Sequence, residues 1–259
     1  MIAIHHSEGT FSNRWIAYCE KEGIPYKIVD CYQSNIILQL ADCNALMWHF
    51  HHASPKATLF AKQLLYAVAA SGKKVFPDYN TAWHFDDKVG QKYLLEAIGA
   101  PLVQSDVFYT KKEALNWVNN NHFPKVFKLR GGAGSANVRL ARSQAEAIAL
   151  VNRAFGKGFS QYDGWSNLKE RIRKYKNGKT TLTDVFKGVV RLLYTTDFAK
   201  VAGRDKGYIY FQEFIENNDC DIRIIVIGEK AFAIKRLMRV NPRYPTGADE
   251  LLEIYRQAW

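Results

Sequence analysis

Disulfide chemistry has little to work with here: among 259 residues there are four cysteines, Cys19, Cys31, Cys43 and Cys220, with no CxxC pair and no metal-type spacing to histidine. Reduced, partly buried thiols are the expectation, and with them a reducing cytoplasm. Long apolar runs are missing too. No window approaches the about 18 apolar residues of a membrane-spanning helix. The start, MIAIHHSEGTF, has no basic stretch leading into an apolar one, so neither a span nor a leader is expected. Acids are outnumbered, with 25 Asp and Glu against 36 Lys and Arg for a formal net charge of +11. Such a surface attracts anions, whether nucleotide phosphates, nucleic acid or acidic lipid, and charge does not choose among them. Two nucleotide fingerprints are absent. Ser7-Glu8-Gly9-Thr10 after the first apolar run is not GxGxxG, and Gly178-Lys179-Thr180 has Arg173 where the first glycine of a Walker A loop belongs.

What is present reads as globular, with 47% hydrophobic and 24% charged residues. The length predicts two or three lobes. Over 1–83 short β-rich runs (IAIHH, YKIVDCY, IILQL, ALMWHF, KKVFPD) alternate with helical patterns at Asn13–Gly23 and Lys56–Ser71. That alternation predicts a small parallel α/β domain, read as the substrate side of the molecule. Over 84–155 a helix from Asp86 to Ile98, the strand PLVQSDVFY, a helix from Lys111 to Asn121, two short strands and a helix from Ser143 predict a compact α+β lobe. Residues 156–207 are helical in pattern and rich in lysine and arginine, with Lys169, Arg171, Arg173, Lys174, Lys176 and Lys179 against Glu170. They read as a basic helical insertion, its charged side either solvated or a surface for RNA or an acidic partner. From 208 to 259 the strands YIYFQEFI, DIRIIVIG and KAFAIKRLMR return, followed by a loop and ADELLEIYRQAW as a terminal helix. Strand alternation puts Asp221 and Arg223 on one face.

The chemistry is concentrated in FPKVFKLRGGAGSANVRLA, residues 123–141. Two strands flank a loop with Gly131, Gly132, Gly134 and Ser135, and Lys128 precedes it. Backbone N–H groups unshielded by side chains let phosphate oxygens approach closely, and a nearby lysine neutralises them. A glycine-rich hairpin turn alone would look the same. The order of the remaining parts decides between these: Lys88 opens a helix, Gln212-Glu213-Phe214-Ile215 ends a later strand, and Asp221, Arg223 and Arg236 follow.

This order resembles the ATP-grasp superfamily, in particular the carboxylate–amine ligases similar to those that add glutamate to ribosomal protein tails. The resemblance covers Asp86 to Gly247, interrupted by the basic insertion, and the amino-terminal domain is similar to the α/β domain that precedes the fold. The implied architecture is an α/β domain followed by an ATP-grasp fold of two α+β lobes. The resemblance implies ATP as the cofactor, with Lys88 and Lys128 on its phosphates and adenine edge and the Gly131–Ser135 loop closing over the phosphates. It implies backbone contacts from Gln212 and Ile215 to the adenine edge, with Phe214 beside the base, Glu213 among the nucleotide-binding residues, and Asp221 on the ribose hydroxyls. Arg223, Arg236 and Arg243 would surround the transferring phosphate and a substrate carboxylate, to which the planar guanidinium binds bidentately. Read without that context, Lys88 and Lys128 are solvated lysines and Asp221 and Arg223 a surface ion pair.

The implied reaction joins a carboxylate to an amine through an acylphosphate, with Mg²⁺ on the phosphates; neither substrate is identified. The family's metal-binding acids fall on strands beyond the position of Arg236, including a Glu-x-Asn. Here the acids beyond it are Asp249, Glu250 and Glu253, on the expected terminal helix, so no metal ligand is assigned. A piece of a longer enzyme and a nucleotide-binding protein without turnover both fit that ending. A nucleic-acid-binding protein using the basic insertion is the third reading. His49, His51 and His52, without nearby acids, read as loop histidines or substrate contacts rather than metal ligands.

Overall fold

The computed structural model describes residues 1–52, 54–131, 137–160, 168, 171–175, 180–193, 201, 203–218, 220–238 and 248–255. Four strands near the amino terminus, β1 (Ile2–His5), β2 (Tyr26–Val29), β3 (Ala45–Trp48) and β4 (Lys74–Phe76), form a parallel sheet in the order β2-β1-β3-β4. The connections include helices α1 (Ser12–Glu22), α2 (Ile36–Gln39) and α3 (Pro55–Ala70). Parallel neighbours need crossovers, which is why strand and helix patterns alternate in this part of the sequence. One expectation changes: IILQL is not a strand but the single turn α2, with Ile36 and Leu40 in the core beside Leu46, Trp48 and Leu65. A short apolar run such as Ile36-Ile37-Leu38 serves a buried turn as well as a strand, and periodicity does not separate them. Cys19, Cys31 and Cys43 are buried free thiols, and burial pushes the Cys31 thiol up to about 12, which suppresses the reactive thiolate.

Helices α4 (Tyr79–Ala82) and α5 (Lys88–Ala97) lead to a second, antiparallel sheet. Its strands β5 (Ser105–Phe108), β6 (Lys125–Lys128), β7 (Val138–Ala141) and β10 (Ile209–Glu213) stand in the order β5-β10-β6-β7. Helices α6 (Lys111–Asn119) and α7 (Gln144–Ala154) share a core with it, Ala114, Val118, Ala147 and Val151 meeting Phe127, Ile209 and Phe211. Both helices begin with a Ser/Thr-x-x-Glu sequence: Thr110 accepts from the Glu113 N–H and Ser143 from the Glu146 N–H, each at 3.3 Å. Glu146 in turn accepts from the Arg142 N–H at 2.9 Å.

Strand β8 (Phe159–Ser160) pairs with β9 (Arg204–Asp205), bracketing the basic segment, within which the described residues include helix at 171–175 and α8 (Leu182–Leu193). Lys169, Lys176 and Lys179 lie outside the described residues. A third sheet contains β11 (Cys220–Ile227), β12 (Lys230–Met238) and β13 (Ala248–Tyr255) in antiparallel order. Here the second expectation changes: the segment expected as a terminal helix is the strand β13 where it is described, Glu253 standing opposite Lys235. The ladder with β12 satisfies its backbone and overrides a sequence that suits a helix.

Candidate functional site

Strand alternation divides the side chains of β6 and β10 between two faces. Lys125, Phe127, Phe211 and Glu213 occupy one, against α6 and α7; Val126, Lys128, Tyr210 and Gln212 occupy the other. On this second face the Lys128 ammonium donates to Gln212 Oε1 across 84 positions of sequence. Gln212 Nε2 donates to Ser105 Oγ at 2.9 Å, which holds the amide with its oxygen toward the lysine.

Lys88 arrives at this place from α5. Its backbone N–H donates to the Arg130 carbonyl at 2.9 Å, tying the helix start to the chain just before the glycine loop. Asp87 caps the same helix by accepting from the Gly90 N–H at 2.9 Å, and its other oxygen lies 3.1 Å from Arg130 Nε. Burial is the main cause that holds both the Lys88 and Lys128 ammoniums below the ordinary lysine value. For Lys128 the second cause is the charge of Lys88, while Asp86, Asp205 and Asp87 work the other way on Lys88. The structure therefore brings two half-buried, mutually repelling cations to the entrance of the glycine loop.

The described ends of that loop are pinned. Asn137, a buried side chain, donates to the Gly131 carbonyl at 3.2 Å, and the Leu129 N–H donates to the Asn137 carbonyl at 3.0 Å. The Arg130 N–H donates to the Tyr208 hydroxyl at 2.7 Å, and that hydroxyl donates to Asp205 at 2.9 Å. Burial, and then Asp205, push the Tyr208 phenol up and keep it a donor. Arg130, Asp205, Tyr208 and Asn137 were not singled out by sequence reading. Arg130 adjoins the loop and was within reach; Asp205 and Tyr208 lie at the end of the basic segment, with no local signal.

No protein-family model matches the sequence, and no curated protein matches it. Solved structures do match. An ATP-grasp RimK domain protein from Sphaerobacter thermophilus superposes with a TM-score of 0.55 at 15% identity, covering 91% of this chain and 72% of that one. A D-cycloserine synthetase gives 0.54 at 14% identity, over 99% and 75% of the two chains. The chain has the ATP-grasp fold. The D-alanine–D-alanine ligase of Bacillus anthracis, solved with ATP, has it too, at a TM-score of 0.50 and 10% identity over 99% and 71%.

Within the ATP-grasp fold the expected residues divide into groups. Lys88, Lys128 and Gln212 converge. Gln212 has Ser105 and Val126 beside it in the ladder, and the chain leaves the sheet after Glu213, so Phe214 and Ile215 are the first residues free of the ladder. The Glu213 side chain does not share the face of Lys128; it pairs with Lys125, which is 0% exposed. Asp221, Arg223 and Arg236 belong to the third sheet, Asp221 opposite Arg236 and Arg223 opposite Ile234. Gly132, Gly134, Ser135 and Arg243 lie outside the described residues. For Mg²⁺, no group of three His, Cys, Asp or Glu that could hold a metal ion occurs among the described residues, so no chemical step is built on a metal here.

In the first sheet the order β2-β1-β3-β4 places a topological switch between β1 and β3, at the carboxyl ends of the strands. The loops there meet through Phe11, whose N–H donates to His49 Nδ1 at 3.1 Å and whose ring stacks on the imidazole at 4.4 Å between centroids. Burial lowers the pKa of His49 and of His51, favouring neutral imidazoles.

Proposed function

We propose that this protein is an ATP-dependent carboxylate–amine ligase. The observation that carries the reading is the pair Lys88 and Lys128, two half-buried lysines beside a glycine loop whose ends are pinned at Gly131 and Asn137. Burial holds both ammoniums below the ordinary lysine value, and for Lys128 the charge of Lys88 adds to it; a triphosphate brought to the pair supplies several negative oxygens at once. The ATP in the similar D-alanine–D-alanine ligase structure supports the choice of nucleotide.

In the reaction, a substrate carboxylate oxygen attacks the γ-phosphorus of ATP, the bond to the β-phosphate oxygen breaks, and ADP leaves. An amine nitrogen then attacks the acyl carbon of the acylphosphate, releasing phosphate and a proton and forming the amide. Lys88 and Lys128 offset phosphate charge, Gln212 orients Lys128, and Arg223, Arg236 and Arg243 serve the transferring phosphate and the acceptor carboxylate. Phe214 and Ile215 border the base, Asp221 the ribose, and Gly131, Gly132, Gly134 and Ser135 cover the phosphates. Mg²⁺ would shield the phosphates further; its ligands are not assigned. The loops at the carboxyl ends of β1 and β3 take the acceptor, and the reduced cysteines suit the reducing cytoplasm.

The test has two stages. The unfolding midpoint is measured without ligand, with ATP and EDTA, and with ATP and Mg²⁺; ATP raises it. ADP release is then assayed with pools of carboxylates and amines. Release that requires both supports a ligase. No stabilisation by ATP refutes the nucleotide site, and steady ATP binding with no acceptor-dependent ADP refutes the reaction.

A further inference from the structure

Lys125 is a charged residue in a place where charges are seldom found. It is the first residue of β6, 0% exposed, and directly opposite Glu213, the last residue of β10. The ammonium donates to Glu213 Oε1. It also lies 5.7 Å from the centre of the Trp117 ring and 3.5 Å from His122 Nε2, which is itself 3.8 Å from Glu213 Oε2. The Glu213 N–H donates to the Gln104 carbonyl at 2.9 Å. The side chain of Glu213 is thus held from β6 and its backbone from the residue preceding β5, and the chain leaves the sheet at the next residue.

We infer that Lys125 is a positioning residue for nucleotide recognition: through its ion pair with Glu213 it fixes the point where β10 ends, and so where the backbone of Phe214 and Ile215 meets the base. This rests on the nucleotide reading given above. The geometry favours a positioning role over a contact with ligand, because Lys125 and Glu213 point to the α6 and α7 side while Lys128 and Gln212 point to the other. An ion pair is directional, whereas apolar replacements fill the same volume without fixing the exit of the strand. The phosphates do not need this exit. Lys88 and Lys128 reach them from α5 and β6, and their positions do not depend on residues 214 and 215.

The consequence is a split between base and phosphate recognition. Lys125→Met/Glu213→Leu removes both charges together, so neither is left uncompensated in the core, and Lys125→Met leaves Glu213, 29% exposed, to water. Binding of ATP and of inorganic tripolyphosphate is measured by calorimetry for both variants and the unaltered chain, after circular dichroism confirms folding. The expected result is an ATP dissociation constant raised about tenfold or more with tripolyphosphate affinity unchanged, in at least the double variant. A partly unfolded variant weakens both ligands together, so the ratio of the two affinities carries the answer. An unchanged ratio in both variants overturns the positioning role. If the unaltered chain binds neither compound, the nucleotide reading falls and this inference with it; if it binds both and the ratio is unmoved by the variants, only the inference falls.

Discussion

Replacing Lys128 with methionine is the sharpest single perturbation of the proposed site. The residue stands at the end of β6, on the opposite face from the core, with one hydrogen bond to Gln212 and one repulsion from Lys88. Losing the first costs stability and losing the second restores it, so the midpoint of the unliganded chain moves by no more than about 2–4 °C, the equivalent of ~1 kcal/mol at this size. Binding behaves differently. A hydrogen bond to a charged group contributes about 1.5–3 kcal/mol, so losing the ammonium–phosphate contact weakens ATP roughly 10- to 150-fold. At an ATP concentration about 100 times the dissociation constant the unaltered chain gains ~2.7 kcal/mol, a rise of about 5–11 °C. At the same concentration the variant gains only about 0.3–1.4 kcal/mol, so its midpoint rises by at most about 6 °C. Differential scanning fluorimetry over an ATP titration reads both numbers. If ATP stabilises both proteins with the same concentration dependence, Lys128 does not meet the phosphates and the assignment is wrong.

Three further outcomes follow from the same contacts. Lys88 and Lys128 titrate below the ordinary lysine value of 10.5 when folded, so the unfolded chain holds more protons between their folded values and 10.5. Their contribution to stability therefore rises with pH through that window, while stabilisation by ATP shrinks as the ammoniums are lost; midpoints from about pH 7.5 to 9.5, compared with a Lys88→Met/Lys128→Met variant, show whether the two trends diverge. Gly158 has φ +70°, and a β-carbon there would lie 2.6 Å from the Asp205 carbonyl oxygen, so Gly158→Ala destabilises by about 1–3 kcal/mol in urea denaturation; a neutral result would mean that the β8–β9 pairing is not held as described. Asp87→Ala loses both the cap of α5 and the contact with Arg130 and costs about 1–2 kcal/mol. Asp87→Asn retains a cap and costs less; equal losses would show that the cap contributes nothing.

Much of this arrangement was readable from residue types and local spacing. Thr110-x-x-Glu113 and Ser143-x-x-Glu146 mark helix starts because their side chains satisfy local N–H groups, which needs no tertiary partner. The strands on either side of Gly131 were visible for the same reason, and the order of Lys88, Lys128 and Gln212 pointed to the fold now seen. The partners of these residues were not visible. Lys128 and Gln212 meet over 84 positions and Lys125 and Glu213 over 88, distances at which sequence spacing carries no geometry. Lys125 was passed over because a lysine is ordinarily a surface residue, and only the strand register reveals the glutamate that makes its burial possible. The segment Ala248–Tyr255 was misread because its apolar residues suit one side of a helix, while the neighbouring strand β12 supplies a ladder that local propensity cannot anticipate.

The two lysines of β6 then show how one short strand can carry opposite requirements. Lys125 is buried with a carboxylate directly across the ladder, and its charge is answered inside the protein. Lys128, three residues later and on the other face, is desolvated beside another lysine, with a neutral amide as its hydrogen-bond partner. An amide oxygen satisfies the N–H geometry but leaves the positive charge without a full counterion. Aspartates near Lys88 soften the repulsion for that residue, whereas the forces shifting Lys128 both oppose its charge. Such a position lowers the stability of the empty protein and raises the value of an incoming anion by the same interactions, a trade expected where a charge is kept for a ligand rather than for the fold. The two lysines of β6 are therefore distinguished by the side chains that meet their ammoniums, a carboxylate for Lys125 and a neutral amide for Lys128.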